Sequence, residues 1–158
     1  FQQQCSNTTG EQYRVTDAMH RGDRPHSIRM YKQTFHGLRD VLKPLHNRNV
    51  SIAPMLNAGQ PTILETYPAA TLAAEPNLIA THYKHTPSGR DHRHHNLQTL
   101  SQLPELNLTN LPQATILDDQ GGHALDSLVA ALATHRATHQ TAPFAVTPHN
   151  PVEGHIYS

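Results

Sequence analysis

The chain has 158 residues, a length typical of one ordinary domain. Its 12 basic and 12 acidic side chains balance, which excludes a strong overall field of the kind that draws a whole protein onto nucleic acid or an anionic membrane. A single cysteine, Cys5, excludes an internal disulfide and a paired-cysteine zinc site, so a reducing, cytoplasmic setting is expected.

The first residues predict an irregular beginning. Residues 1–13 are polar, contain a glycine and show no periodicity, which indicates a flexible entry segment. The first residue is Phe1 instead of a methionine, so the chain is expected to be the C-terminal portion of a longer protein. No apolar run is long enough to span a bilayer and no signal-peptide pattern is present, so no membrane association is expected.

Apolar residues at three-or-four spacing predict an amphipathic helix over residues 27–46. His26 and Ser27, after Pro25, offer an N-cap, and Pro44 weakens the last turn. The residues that form this apolar stripe are Ile28, Tyr31, Phe35, Leu38, Val41, Leu42 and Leu45.

Short strands are predicted next. Residues 50–54 favour a strand, and residues 59–61 (GQP) favour a turn. Residues 62–67 (TILETY) predict a second strand, because β-branched and aromatic residues alternate there before Pro68. A short helix is expected over residues 69–74.

The second half of the chain is mainly helical in pattern. One helix is predicted over residues 91–103, and residues 104–118 are ambiguous. Residues 121–139 predict the clearest helix, with one apolar face formed by Leu125, Leu128, Val129, Leu132 and Ala133. Residues 144–146 and 153–157 fit either an edge strand or a loop. This order of elements predicts a single α/β domain over residues 1–158.

Glu65 is the first candidate site residue. It lies in the middle of an apolar strand, where a buried carboxylate is costly unless it is paired or bound to metal. Pro68 ends the strand three residues later, so Glu65 is expected near the carboxyl edge of the sheet, where α/β proteins bind ligands. The alternative is that Glu65 faces solvent on a strand with one buried side.

His123 and Asp126 form the second candidate. They stand three residues apart near the start of the last long helix, so their side chains share a face. The structural alternative for Asp126 is a carboxylate that complements the positive N-terminal end of the helix dipole. Asp118 and Asp119 precede the helix as caps or as a reserve carboxylate.

Together, Glu65, His123 and Asp126 are the ingredients of a divalent-metal site that handles phosphodiesters. Mg²⁺ and Mn²⁺ prefer oxygen ligands, and two such ions activate a water molecule and stabilise the leaving oxygen.

Short motifs containing these residues resemble a known family. The motifs are E-T-Y-P-A-A at 65–70, Y-K-H at 83–85, H-A-L-D-S-L-V-A-A-L at 123–132 and E-G-H-I-Y at 153–157, with R-V-T-D at 14–17 ahead of the first long helix. In this order they resemble the domain-of-unknown-function family number 429. That family is regarded as a group of predicted nucleases with an RNase H-like fold.

The resemblance implies an RNase H-like three-layer fold in which carboxylates from two strands and the last helix meet around metal. Glu65 falls on the central-strand position and Asp126 on the second acidic position of a helical D-x-x-D motif. His123 occupies the first acidic position, which is a departure from the family pattern. Imidazole ligates Mn²⁺, but the change weakens a site that uses Mg²⁺ alone.

A larger departure lies at the beginning of the chain. The family's opening strand, with its glycine and aspartate, has no counterpart before Phe1, so the RNase H-like fold is expected to be incomplete, with its N-terminal strands missing. The chain is then either a fragment or a reduced form without the first metal ligand, and we expect it to catalyse poorly by itself.

The histidine-rich segment is a separate feature. His92, His94 and His95, with His82 and His85 upstream, allow a zinc or nickel site, although a solvated surface is the simpler interpretation. His135 and His139 share a helix face, but Arg136 stands where a metalloprotease helix carries its glutamate. Lys84, Arg90 and Arg93 make the segment locally basic, as a phosphate-contacting surface requires.

Three functional hypotheses follow. The leading one is a metal-dependent nuclease, a hydrolase of nucleic-acid phosphodiesters, in which Glu65 and Asp126 bind Mg²⁺ or Mn²⁺ and His123 is a third ligand or an acid–base group. The second is a non-catalytic RNase H-like binding or scaffold module that has lost its metal. The third is a histidine-rich zinc-binding protein. The sequence decides neither the choice of DNA or RNA nor the oligomeric state.

Overall fold

The computed structural model describes residues 13–25, 27–139 and 154–158. These residues form both helices and short strands, which confirms the predicted α/β class. In chain order the elements are α1 (Val15–His20), α2 (Tyr31–His36), π1 (Gly37–Leu42, a π-helix), α3 (Lys43–His46), β1 (Val50–Ile52), β2 (Gly59–Ile63), β3 (Glu65–Thr66), α4 (Pro68–Ala74), α5 (Gly89–Leu100), α6 (Gln113–Asp118), α7 (His123–His139) and β4 (Ile156–Tyr157).

The described residues divide into two compact units. The first unit contains those up to Glu65 together with residues 154–156, and the second contains residues 66–139 and 157–158. The sequence-based prediction of a single domain covers the whole chain and stays a prediction.

The first unit contains a parallel pair of strands, β1 and β2. The prediction of a turn at residues 59–61 is wrong, because these residues begin β2. The register passes from Val50↔Gly59 to Ser51↔Thr62, and Pro61 falls in the gap between these pairs. A proline has no N–H to donate, so such an irregularity is where a strand accommodates it.

The prediction of a helix over residues 27–46 is confirmed from Tyr31 onward. Residues 31–46 are continuously helical through α2, π1 and α3, and residues 27–30 form turns. The apolar stripe of this helical stretch is not buried: no residue of α2, π1 or α3 is buried, and Phe35 is 52% exposed. The spacing of apolar residues establishes a helical face, but it does not establish that the same unit covers that face.

The predicted strand over residues 62–67 is divided. Residues 62 and 63 belong to β2, and β3 is a separate strand of two residues that forms a two-stranded sheet with β4. The predicted short helix is confirmed as α4, with Pro68 in its first turn, where a missing N–H costs nothing. Of the two alternatives for residues 153–157, an edge strand or a loop, the structure shows a short strand, β4, at Ile156–Tyr157.

The core of the second unit is a cluster of apolar side chains from α4, α5, α6, α7 and the loops that connect them. Helix α7 is confirmed close to its predicted bounds, and its residues Leu125, Val129 and Leu132 are fully buried. The predicted helix at 91–103 is confirmed as α5, and α6 lies in the ambiguous region. The buried members of the cluster are Leu72, Tyr83, Leu97, Leu100, Leu108, Ile116, Leu125, Val129 and Leu132.

Polar residues also lie inside the second unit. Asn96 is fully buried and holds the chain at Ile79, whose N–H donates to the amide oxygen (2.7 Å) and whose carbonyl accepts from the amide nitrogen (2.9 Å). Arg93 is only 3% exposed. A phosphate-contacting role for Arg93 is therefore wrong, because the guanidinium is inside the unit and donates to backbone carbonyls.

The remaining predictions concern the entry segment, the apolar run at 144–146 and the absence of a membrane span. The entry segment lies outside the described residues except for Tyr13, whose ring stacks against the Arg24 guanidinium at 4.2 Å. The apolar run at 144–146 also lies outside them. None of the helices in the described ranges combines the length and apolar character needed to cross a membrane.

The apolar face of helix α7 is buried and the helical stretch 31–46 is exposed, so equivalent replacements in the two should differ in their effect on stability. Replacement Leu132→Ala removes a fully buried side chain, and we expect it to lower the free energy of unfolding by about 2–5 kcal/mol. The matched replacement Leu38→Ala, at an exposed position, is expected to change it by no more than about 0.5 kcal/mol. Urea unfolding followed by circular dichroism measures both, and equal losses would contradict the burial pattern.

Candidate active site

Asp126 is bound by two side chains from a distant part of the sequence. It lies in the first turn of α7 and is partly buried. Its Oδ1 accepts a hydrogen bond from the hydroxyl of Tyr83 (2.8 Å), and its Oδ2 forms an ion pair with Nζ of Lys84. Asp126 is therefore more than a complement to the helix dipole, since two consecutive side chains of a distant loop converge on its carboxylate.

The loop that carries Tyr83 and Lys84 has a constrained backbone. His82 and His85, on either side of the pair, both have positive φ angles, of 59° and 50°. The N–H of His85 donates to the carbonyl of Gln120, just before α7 (2.9 Å). Non-glycine residues with positive φ are uncommon and are often found at functional sites. The loop is therefore fixed in a conformation that directs two polar side chains at one carboxylate.

Gly122 allows the loop and the start of α7 to approach each other. Its φ is +69°, and a β-carbon at this position would lie 3.0 Å from the Lys84 side chain and 3.1 Å from the Tyr83 ring. A larger residue would be strained by its backbone and would also push Tyr83 and Lys84 away from Asp126.

The electrostatics of the cluster keep Tyr83 protonated. Burial, and then the hydrogen bond to Asp126, raise the pKa of the Tyr83 hydroxyl far above its ordinary value. At neutral pH the hydroxyl therefore remains a donor to Asp126. Lys84 Nζ lies 5.1 Å from the centroid of the Tyr83 ring, so its charge is stabilised by the ring as well as by the carboxylate.

His123 is on the same helix, but no hydrogen bond or ion pair joins it to Asp126. Its exposed ring lies against Gly121, where a β-carbon would be only 2.7 Å from Cδ2 and Nε2. The nearby carboxylate is Asp119, which caps α7 by accepting from the N–H of Ala124 (2.7 Å) and of Gly121 (3.0 Å). These hydrogen bonds lower the pKa of Asp119, and the charge of His123 lowers it further. Of the two roles predicted for Asp119, the structure shows the cap.

Glu65 belongs to a different cluster, in the first unit. The Arg14 guanidinium donates to both of its oxygens, from Nη1 to Oε2 and from Nη2 to Oε1, each at 2.8 Å. The side chain of Glu65 is 47% exposed. The prediction of a buried Glu65 is therefore wrong, and the solvent-facing alternative holds: β3 is too short to place Glu65 inside a sheet.

The same guanidinium binds a second carboxylate. Asp17 is 1% exposed, and it accepts from Nε and Nη2 of Arg14 at 2.7 Å each. Burial lowers the pKa of Arg14, but the hydrogen bonds to Glu65 and Asp17 outweigh it and raise the pKa overall. Asp17 is a buried carboxylate that the site prediction did not include, although the R-V-T-D motif contained it.

Glu65 lies in the first unit, whereas Asp126 and His123 lie three residues apart on α7 of the second unit. Glu65 pairs with Arg14, Asp126 pairs with Lys84, and His123 lies beside Asp119. Among the described residues, no group of three or more His, Cys, Asp and Glu side chains is arranged to hold a metal ion. Their role as metal ligands stays a prediction.

The histidines of α5 are also dispersed. His95 Nε2 donates to the carbonyl of Asn77 (2.7 Å), and His92 Nδ1 donates to the carbonyl of His82 (3.1 Å). Each therefore fixes a different part of the preceding loop, while His94 is exposed. The described residues give the zinc hypothesis no common site for these side chains.

Comparison with known proteins identifies the family. The model of the family described as protein of unknown function (DUF429) matches residues 4–153, and this chain belongs to that family. The matched range contains both the Arg14 cluster, with Asp17 and Glu65, and the Asp126 cluster, with Tyr83 and Lys84. No curated protein and no solved structure matches the chain.

The two ion pairs of Arg14 are expected to differ in their contribution to stability. Replacement Arg14→Gln leaves Asp17 buried without its cationic partner, and we expect a loss of about 3–5 kcal/mol in the free energy of unfolding. Replacement Glu65→Gln breaks an exposed pair, and we expect a loss of about 0–1 kcal/mol. Urea unfolding of both variants tests this, and equal losses would show that Asp17 does not depend on Arg14.

The Asp119 cap yields a pH-dependent effect. The pKa of Asp119 is lower in the folded protein than in the unfolded chain. The ionised cap therefore stabilises the folded state at any pH above the pKa of Asp119 in the unfolded chain. This contribution is lost as the pH falls through the pKa of Asp119 in the folded protein. We expect Asp119→Ala to lower the melting temperature clearly at pH 7 and much less at pH 2.5. The control is Asp118→Ala, which removes only an exposed pair with Arg90 and should have little effect at either pH.

Proposed function

We propose that this chain is a nuclease-like protein that acts on nucleic-acid phosphodiesters with the help of Mg²⁺ or Mn²⁺. The observation that carries the proposal is the carboxylate of Asp126, which lies beside the ammonium of Lys84 and the hydroxyl of Tyr83 in one partly exposed cluster. This cluster joins the Y-K-H and H-A-L-D motifs, whose order supports the RNase H-like layout that the family resemblance implies.

The donor set fits a cation that keeps most of its water. A carboxylate offers about four lone-pair positions, and Asp126 uses two of them for Tyr83 and Lys84. Mg²⁺ typically takes only one or two carboxylates and completes its shell with water and substrate phosphate, and Mn²⁺ also accepts imidazole. Asp126 and His123 would hold such an ion, and Glu65 stays a predicted further ligand.

Lys84 supplies the charge that a phosphodiester requires. Its side chain is 38% exposed, so a phosphate oxygen can reach its ammonium and replace the Asp126 carboxylate as its partner. Tyr83 donates to Asp126 throughout this exchange and keeps the carboxylate oriented. The ion pair between Lys84 and Asp126 is then the resting arrangement of a phosphate-binding site.

Hydrolysis needs a water proton to be removed and the leaving oxygen to be protonated. Water forms a new bond to phosphorus while the bond to one ester oxygen breaks. His123, which is exposed and stands three residues before Asp126 on α7, would carry the proton between these oxygens. When bound, the divalent ion supplies Lewis-acid activation of water and neutralises charge on the phosphate.

The proposal is tested by incubating the full chain with Mn²⁺ or Mg²⁺ and labelled single-stranded, duplex and branched DNA and RNA. We expect cleavage that EDTA abolishes and that Asp126→Asn reduces by about 100-fold or more, the scale on which single charge-stabilising groups act. Asp118→Asn is the matched control and should leave cleavage unchanged. Equal cleavage by the wild-type and Asp126→Asn chains would contradict the proposed site.

A non-catalytic binding or scaffold module is the second candidate. It is favoured by the fact that Glu65 and Asp126 are both paired with cationic side chains, which neutralise the charge that a metal ion would need. A bound ion must stabilise the folded state. An unchanged melting temperature in millimolar Mg²⁺ or Mn²⁺, together with no cleavage of any substrate, would establish this candidate over the nuclease.

A further inference from the structure

Two histidines lie side by side at the C-terminal end of α7. His135 and His139 stand four residues apart on the helix, and their rings stack with centroids 4.0 Å apart and planes inclined by 26°. His139 is exposed and His135 is half-buried. Because both side chains leave the same face of one helix, the outer edges of the two rings, which carry Nε2, point away from the helix together.

One hydrogen bond fixes the tautomer of His139. Its Nδ1 lies 2.8 Å from the backbone carbonyl oxygen of His135. A carbonyl oxygen can only accept, so Nδ1 carries the hydrogen and donates it, and Nε2 of the neutral ring keeps its lone pair. Histidines that bind metal ions are usually held in this way, with one ring nitrogen donating to a carbonyl and the other binding the ion.

The surroundings of the pair suit a cation. Within the ranges that the structure describes, no hydrogen bond engages the ring nitrogens of His135. The last turn of a helix presents free carbonyl groups, and the negative end of the helix dipole stabilises positive charge there. The adjacent Arg136 is paired with Glu75 and Glu105, so its own charge is neutralised.

Glu105 adds negative charge near His135. A hydrogen bond from its own backbone N–H, and then the nearby Arg136 and His135, lower the pKa of Glu105. Its carboxylate is therefore ionised at neutral pH. A carboxylate beside an imidazole pair strengthens the attraction of the pair for a cation.

Two imidazole nitrogens select one class of metal ion. Zn²⁺, Ni²⁺ and Cu²⁺ bind imidazole readily, whereas Mg²⁺ prefers oxygen ligands. Among the described residues, no third His, Cys, Asp or Glu side chain completes a metal-binding group with the pair. The ion that fits is therefore a transition-metal ion that keeps water in its remaining positions.

We propose that His135 and His139 bind one divalent transition-metal ion, such as Zn²⁺, through Nε2 of each ring. The ion joins successive turns of the helix and stabilises the C-terminal end of α7. Asp126 lies nine residues before His135, about 14 Å along the helix axis. The site is separate from the proposed Mg²⁺ or Mn²⁺ site, and it does not depend on the proposed nuclease function.

Calorimetric titration of the full-length chain with Zn²⁺, in millimolar Mg²⁺, tests the proposal. We expect the wild type to bind one Zn²⁺ whose affinity falls roughly 100-fold or more in either His135→Ala or His139→Ala, the scale by which two linked ligands exceed one. The double variant should lose little more, because each single variant already lacks a chelating pair.

The control is His94→Ala, at an exposed position of α5, which should bind this Zn²⁺ like the wild type. Circular dichroism and the melting temperature without metal check that each variant is folded. If the half-buried His135 proves necessary for folding, the exposed His139 still gives the comparison.

Nitrogen-15 spectra of the imidazole rings identify the ligand atoms. On addition of Zn²⁺, the signals of His135 and His139 should change together and before those of the other histidines. Nε2 of His139 should become the bound nitrogen while Nδ1 keeps its hydrogen, as the contact with the carbonyl of His135 requires.

Several outcomes overturn the proposal. Equal Zn²⁺ affinity of the wild type and His139→Ala removes the pair as the site. An equal loss in His94→Ala assigns the ion to exposed histidines in general. Binding through Nδ1 of His139 contradicts the tautomer on which the site is built, and Mg²⁺ that displaces the Zn²⁺ contradicts the nitrogen ligands.

Discussion

The arrangement of the second unit depends on one buried cation. Arg93, on α5, donates from Nη1 to the carbonyl of Tyr83 (2.7 Å) and from Nε and Nη2 to the carbonyl of Leu117 (3.0 and 2.6 Å). An isolated charge is costly to bury, so these carbonyls must replace the water that the guanidinium loses. The same contacts fix the end of α6 and the loop of Tyr83 and Lys84 with respect to α5. The candidate site is therefore a consequence of how the core satisfies Arg93.

A second guanidinium has a comparable role in the first unit. Arg14 binds the buried carboxylate of Asp17 on one side and the exposed carboxylate of Glu65 on the other. The buried pair carries the structural constraint, because a charge inside the protein must keep its partner, whereas the exposed pair is screened by solvent. Glu65 can change partner without loss of the fold, but Asp17 cannot.

The sequence predicted those features that depend on local periodicity. Helix α7 was predictable because Leu125, Val129 and Leu132 repeat on one face and are all buried. The helix at 31–46 was predictable as a helix, but its burial was not, because periodicity does not show whether another element lies against the apolar face. The motif at 123–126 identified Asp126, and its order with the other motifs identified the family.

The polar contacts of the site were not predictable from local patterns. Tyr83 and Lys84 meet Asp126 across more than 40 residues of sequence, and Arg14 meets Glu65 across 51. In each case the sequence showed a charged residue whose partner depends on tertiary structure. Arg93 illustrates the same point, since its neighbours in D-H-R-H-H suggest a solvated surface although the residue is buried.

The exposure of the carboxylate pairs bears on both proposed functions. The Lys84 and Asp126 side chains are 38% and 21% exposed, and Glu65 is more exposed than either. Solvent-exposed ion pairs such as that of Glu65 contribute on the order of 0–1 kcal/mol, whereas the Asp126 carboxylate is partly buried and depends more on its partner. The proposed function therefore requires that a ligand which takes Lys84 be accompanied by a cation that takes over the Asp126 carboxylate.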